Sequence, residues 1–175
     1  MNQILKGMIE NILNHLLNES GSDWKNAPLS DYKSLEIDKR GSFGERLIKD
    51  AMTPRVRRIE YNDGDQGDWD LKIENKKLEI KTSSIDKSGK FQNEGLKKYG
   101  NYDAVVFVGV EPEFVNIKCV KKENIDFDKL NSRENRKTGV GHKWDLKKSD
   151  MTQVNTPEDI FNLINNELFD GKLKK

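Results

Sequence analysis

The sequence predicts an α/β fold built on a central mixed β-sheet of about four to five strands flanked by helices. Three observations predict it. Residues 70–73 and 78–81 alternate polar and apolar on either side of a polar turn, the pattern of a hairpin with one buried face. Residues 104–110, Ala-Val-Val-Phe-Val-Gly-Val, are an uninterrupted apolar run of the kind buried on both faces of a sheet. Amphipathic helical stretches stand before and after these strands, at 42–52 and 156–170.

The bulk numbers narrow the possibilities. A chain of 175 residues has the size of one domain, expected to span 1–175 and able to bury a real core. Only 34% of it is apolar and 35% is charged, so that core must be compact. With 31 basic and 30 acidic residues the net charge is +1, and any nucleic-acid footprint has to be local. The single cysteine, Cys119, excludes a disulfide framework within the chain and a Cys-based zinc site, and its alternating neighbours make it a strand residue. No apolar run reaches membrane-spanning length. The N-terminal apolar residues are periodic and interrupted by Asn, Lys and Glu, unlike a signal peptide. A soluble cytoplasmic protein with no membrane partner is the expectation.

Taken in order, residues 2–19 read as a helix with Ile4, Leu5, Met8, Ile9, Ile12, Leu13, Leu16 and Leu17 on one stripe, packed on its own domain or on a second copy. With the loop-like residues that follow it forms an extension, 1–41. Residues 42–120 make the core. Its first helix, 42–52, begins with Ser42 and Glu45 at capping-box spacing and buries Phe43, Leu47, Ile48 and Met52. Residues 55–61 form an imperfect strand, and 62–67 are all turn formers.

The next stretch, Asp68-Trp69-Asp70 through Glu79-Ile80-Lys81, is the most informative of the chain. With Asn75-Lys76 as a two-residue loop, Lys72 lies opposite Glu79 and Asp70 opposite Lys81. Asp70, Glu79 and Lys81 then share one face, while Leu71, Ile73, Leu78 and Ile80 point to the core. Two carboxylates beside an ammonium are costly in a purely structural hairpin and useful around a divalent metal. A short helix over 91–99, the buried strand 104–110 and a strand over 114–120 complete the core. Thr156-Pro157-Glu158-Asp159 opens the C-terminal helix, with Thr as cap, Pro in the first turn and acids at the positive dipole end.

Asp70, an eight-residue gap and then Glu79-Ile80-Lys81 resembles the D…(D/E)xK signature of the PD-(D/E)XK nuclease superfamily, with Trp69 where that family usually has Pro. The order helix, strand, hairpin, helix, buried strand is similar too, over about residues 42–120. The resemblance implies a restriction-endonuclease-like core and a Mg²⁺-dependent DNA endonuclease, with Mn²⁺ able to substitute, of type II restriction character. It implies that Asp70, Glu79 and the backbone carbonyl of Ile80 hold the metal and that Lys81 serves the attacking water. Glu45 matches a helix Glu that completes such sites, although capping explains it equally well. Asp68 competes with Asp70 for the metal, and Gln92 is either a residue beside the metal water or a surface side chain. One metal or two is left open.

Residues 121–150 are basic, with Arg133, Arg136, Lys137, His142 and Lys143 as candidate DNA contacts, joined by Lys72 on the hairpin. They read as a loop reaching into a groove of double-stranded DNA, or as a solvated charge run. Cutting both strands takes two sites, so a homodimer or a partner subunit is expected. A junction or repair nuclease, one cutting subunit of a heteromeric nuclease, and a DNA-binding module without catalysis are the rivals. Other chemistries lack their residues: His15 and His142 are the only histidines, and no Walker A, G-x-G-x-x-G or G-x-S-x-G motif occurs.

Overall fold

The computed structural model describes residues 24, 26–62, 68–135 and 139–173. Its centre is a six-stranded mixed sheet in the order β1-β2-β3-β5-β6-β9: β1 Ile59–Tyr61, β2 Leu71–Ile73, β3 Lys76–Ser84, β5 Ala104–Val110, β6 Val115–Lys121 and β9 Thr152–Val154. Only β3 and β5 pair in parallel; the other neighbours are antiparallel. A separate three-stranded sheet joins β4 (Lys90–Leu96), β8 (Gly139–Lys147) and β7 (Asn131–Asn135). The described helices are α1 (Ser30–Ser34), α2 (Ile37–Met52) and α3 (Pro157–Phe169).

Every residue of β5 is buried, as its sequence requires, and its alternate side chains feed two cores. Val106, Val108 and Val110 join Leu71, Ile73, Leu78 and Ile80 beneath Ile48 and Met52 of α2 and Ile160, Ile164 and Leu168 of α3. Val105 and Phe107 face the other way, into a core with Phe91, Leu96, Phe127 and Leu146. The described helices therefore cover one face, and the small sheet covers the other. Gly109 makes room for this second core, because a Cβ there would lie 2.8 Å from the Phe91 ring.

Several expectations change. The helix expected from Ser42 begins at Ile37, so Ser42 lies inside it. Its hydroxyl donates to the Asp38 carbonyl, and it caps nothing. The first strand is shorter than residues 55–61, because Thr53–Arg55 continue α2 as a 3-10 turn. The hairpin turn is Glu74-Asn75, not Asn75-Lys76, so Lys72 faces Lys77 and the register leads Asp70 toward Glu79. Glu74 adopts the left-handed conformation (φ 51°) that a two-residue hairpin turn demands, and its carboxylate accepts the N–H groups of Arg57 and Arg58 at 3.1 and 3.2 Å. A shift of this size leaves every side chain on its expected face.

The helix expected over 91–99 is strand β4. Phe91, Asn93 and Leu96 are buried while Gln92 and Glu94 are exposed, and Gly95 at φ 76° carries a bulge between Asn93 and Leu96. The basic region 121–150 is no loop: its described residues hold three 3-10 turns and the β7–β8 pair. The C-terminal helix has the expected Thr156 cap, and the structure completes it as a capping box, the Asp159 N–H donating to Thr156 Oγ1 at 3.1 Å and the Thr156 N–H to the Asp159 carboxylate at 2.9 Å. Residues 2–19, with His15, lie outside the described residues.

Candidate active site

Asp70 occupies the last position before β2, and its backbone is held from both sides. Its N–H donates to the Leu78 carbonyl and its own carbonyl accepts from Asn62, each at 2.9 Å. The side chain turns across the hairpin, where Oδ2 accepts the Ile80 N–H at 2.6 Å. Burial, the charge of Glu79 and then that of Glu45 push the Asp70 carboxyl up to about 7, against the opposing pull of the Ile80 N–H and Lys81. Glu79 and Lys81, two residues apart on β3, share the face opposite Leu78 and Ile80. Lys81 Nζ lies 2.5 Å from Glu79 Oε1, with only 23% and 13% of the two side chains exposed. Among the described residues, three carboxylates and one lysine therefore act on each other here.

Glu45 joins this group from α2. The Tyr61 hydroxyl donates to its Oε2 at 2.8 Å, and Lys49 lies over the Tyr61 ring at 4.8 Å. Helix α2 can lie this close to β3 because residue 44 is glycine: a Cβ there would meet Thr82 Oγ1 at 2.0 Å. Thr82 Oγ1 also donates to the Gly41 carbonyl at 3.3 Å. From the far side, Gly95 of the β4 bulge passes over Lys81, whose Nζ would be 3.9 Å from a Cβ at that position.

Asp68 is committed elsewhere. Lys97 Nζ approaches its Oδ1 at 2.9 Å and the Asn101 N–H donates to Oδ2 at 3.1 Å, which holds the carboxyl below its ordinary range. Of the two rivals, Asp70 is the one turned toward Glu79. Gln92 lies on an exposed face of β4, where it donates to Asp86 at 2.8 Å and accepts from Lys143 at 3.1 Å.

The expected DNA contacts divide. Lys72 is 3.4 Å from Glu60, and Lys143 is the same distance from Asp145. His142 does not face solvent. Alternation along β8 turns it inward with Leu146, its Nδ1 3.2 Å from the Leu96 carbonyl and its ring edge-on to Phe127 at 5.1 Å. Burial of the ring favours a packing role for His142 over the expected groove contact. Arg136, Lys137 and the side chain of Arg133 lie outside the described residues. Two participants escaped the sequence reading, Tyr61 and the Ile80 N–H. Tyr61 carries no motif signal, and the amide's role depends on the hairpin register.

Among the described residues, no three Asp, Glu, His or Cys side chains are gathered closely enough to enclose a metal on their own. Nor is any described helix long and apolar enough to cross a membrane. No family model matches the chain, and neither does any curated protein. Among solved structures it is similar to a bacterial homing endonuclease, I-Ssp6803I, with a TM-score of 0.47 and 16% identity, over 78% of this chain and 96% of that one. At that distance the similarity carries no functional weight, and the chemistry has to be read from the site's own residues.

Proposed function

We propose that this protein is a Mg²⁺-dependent endonuclease that hydrolyses phosphodiester bonds of double-stranded DNA, with a type II restriction enzyme as the specific reading. The supporting observation is the Asp70 carboxylate, half-buried, opposed by the charges of Glu79 and Glu45 and held by the Ile80 N–H. Like charges in a partly dry site are unfavourable until a cation joins them. A hard divalent ion fits that donor set. Mg²⁺ takes one or two carboxylates and keeps several waters, so a ready-made cage of three ligands is not required. Asp70 and Glu79 would hold it, with the Ile80 carbonyl completing the shell and Glu45 beside it; Mn²⁺ has the same oxygen preference.

When bound, the ion polarises a phosphoryl oxygen and makes a bound water more acidic. The protein's own groups do the rest. Lys81 orients the attacking water or takes its proton, and offsets the charge that builds on the phosphate. The new P–O bond forms as the bond to the 3′-oxygen breaks, and that oxygen takes a proton from solvent water, giving a 5′-phosphate and a 3′-hydroxyl. Tyr61 keeps Glu45 in place, and the Ile80 N–H keeps Asp70 from turning away. Cleavage of both strands takes two such sites, supplied by a homodimer or by a partner subunit.

The test is plasmid DNA of mixed sequence with the purified protein, in Mg²⁺ and in EDTA, beside Lys81→Ala. Discrete fragments that need Mg²⁺ and vanish in the variant support the restriction reading. Cleavage confined to branched DNA would replace it with a junction nuclease. Cleavage that persists in Lys81→Ala would remove the site assignment.

A further inference from the structure

A cationic feature lies at the end of β3, between α1 and the start of α2. Beyond Lys81, β3 ends in Thr82-Ser83-Ser84, and these residues with Tyr32, Arg40 and Gln92 line a cleft of about 340 Å³. Lys33, from α1, donates to Ser84 Oγ at 2.7 Å and stands 4.9 Å over the Trp24 ring. Arg40, in the first turns of α2, spends Nε on the Leu35 carbonyl (3.0 Å) and Nη2 on the Lys33 carbonyl (2.8 Å). Its Nη1 has no partner among the described residues, and neither cation has an ion-pair partner among them. Both burial and the nearby Arg40 charge lower the Lys33 pKa, as expected for two uncompensated cations at close quarters. Asp86 also lines the cleft, but its carboxylate is engaged internally by Ser88, the Lys90 N–H and Gln92.

We infer that Lys33, Arg40 and the Ser84 hydroxyl form a site for a backbone phosphate of the substrate duplex, a few nucleotides from the bond that is cut. The inference rests on the nuclease reading and adds where the flanking strand lies. Its geometric basis is that α2 and β3, which carry Glu45 and Lys81, also carry Arg40 and Ser84, with Lys33 joined to Ser84 from α1. Glu45 follows Arg40 by five residues, about 7.5 Å of helix. Ser84 follows Lys81 by three residues, about 10 Å of strand. The Gly44–Thr82 contact locks the two elements together between those points. A ~10 Å offset corresponds to about three base-pair steps at ~3.4 Å each. A hydroxyl, an ammonium and a guanidinium with spare N–H donors are the groups that bind phosphate oxygens. The cleft begins at Thr82, the residue after Lys81 in β3, and is lined by Arg40 at its other side.

The experiment is duplex binding in EDTA across a salt series, using the full chain, Lys33→Gln, Lys33→Arg and Ser84→Ala, with thermal melts to verify folding. The expected result for Lys33→Gln is a three- to tenfold weaker affinity at low salt and a slope of log K against log salt shallower by about 1. Lys33→Arg restores the slope, and Ser84→Ala weakens binding without changing it. An unchanged slope and affinity in a folded Lys33→Gln that still binds duplex would overturn the phosphate site and leave the nuclease reading intact. Absence of salt-dependent duplex binding by the unmutated chain would overturn both.

Discussion

The Asp70 carboxylate accepts the backbone N–H of Ile80 at 2.6 Å, ten residues further along the chain. This bond fixes one oxygen of a half-buried acid whose charge is opposed by those of Glu79 and Glu45. A charge-assisted bond of this kind contributes about 1.5–3 kcal/mol. It opposes the two like charges without neutralising them, which leaves the site suited to a cation.

Removal of that acid should separate folding from function. Asp70→Ala, Glu79→Ala and Lys81→Ala are each expected to lower cleavage by about a hundredfold or more while duplex binding in EDTA is retained. Single-turnover cleavage and a binding titration on the same preparations check this. Wild-type cleavage by Asp70→Ala would remove Asp70 from the site.

Stability should depend on pH through Asp70. The folded chain keeps this proton to about pH 7, while an unfolded Asp releases it near pH 3.9. The folded state therefore binds more protons in that window, and stability falls as pH rises from about 4 to about 7, then levels off. The contribution is at most about 4 kcal/mol. Asp70→Asn should be more stable than the parent at pH 8, and Mg²⁺ should raise the melting temperature of the parent but not of the variant. Urea unfolding at pH 5 and 8, with and without Mg²⁺, reads all of this.

Asp68 should behave as a structural residue. Because Lys97 and the Asn101 N–H hold it, Asp68→Ala is expected to leave the Mg²⁺-induced thermal shift in place and to cost about 1 kcal/mol or less. Loss of the metal response in this variant would exchange the roles of the two acids.

The α2–β3 contact is tight enough to be tested directly. Gly44→Ala puts a methyl on Thr82 Oγ1 and should destabilise the protein by about 1–3 kcal/mol. Cleavage should fall as well, since Glu45 would move with the helix. Thr82→Ala in the same chain should restore part of both losses, as a double-mutant cycle would measure.

His142 should matter to the fold and not to DNA. Its ring lies between the Leu96 carbonyl and Phe127, so His142→Ala is expected to cost about 1–3 kcal/mol with an unchanged salt dependence of DNA binding. A shallower salt slope in a folded variant would return it to the interface.

Much of this was legible in local pattern. The buried run 104–110, the alternation of Leu71, Ile73, Leu78 and Ile80, and the Thr156–Asp159 cap each follow from rules that act over a few residues. The convergence of Asp70, Glu79 and Lys81 on one face follows from a period of two, which survives the shift of the turn to Glu74-Asn75. The expected helix over 91–99 failed because Phe91, Asn93 and Leu96 fit a bulged strand once Gly95 takes its left-handed conformation. The basic stretch became a hairpin because its alternate residues His142 and Leu146 had a second core to enter.

By itself the sequence determined the mixed α/β class, the strands of the hairpin and the acids that share a face, because strand periodicity and capping are local properties of the chain. Tertiary structure decided which acid is turned inward, where α2 begins, and that Tyr61, Gly44 and the Ile80 N–H set the position of Glu45 and Asp70. These depend on the register between β2 and β3 and on the distance between α2 and β3. Both quantities are set by packing between segments far apart in the chain, and no short window of residues contains them.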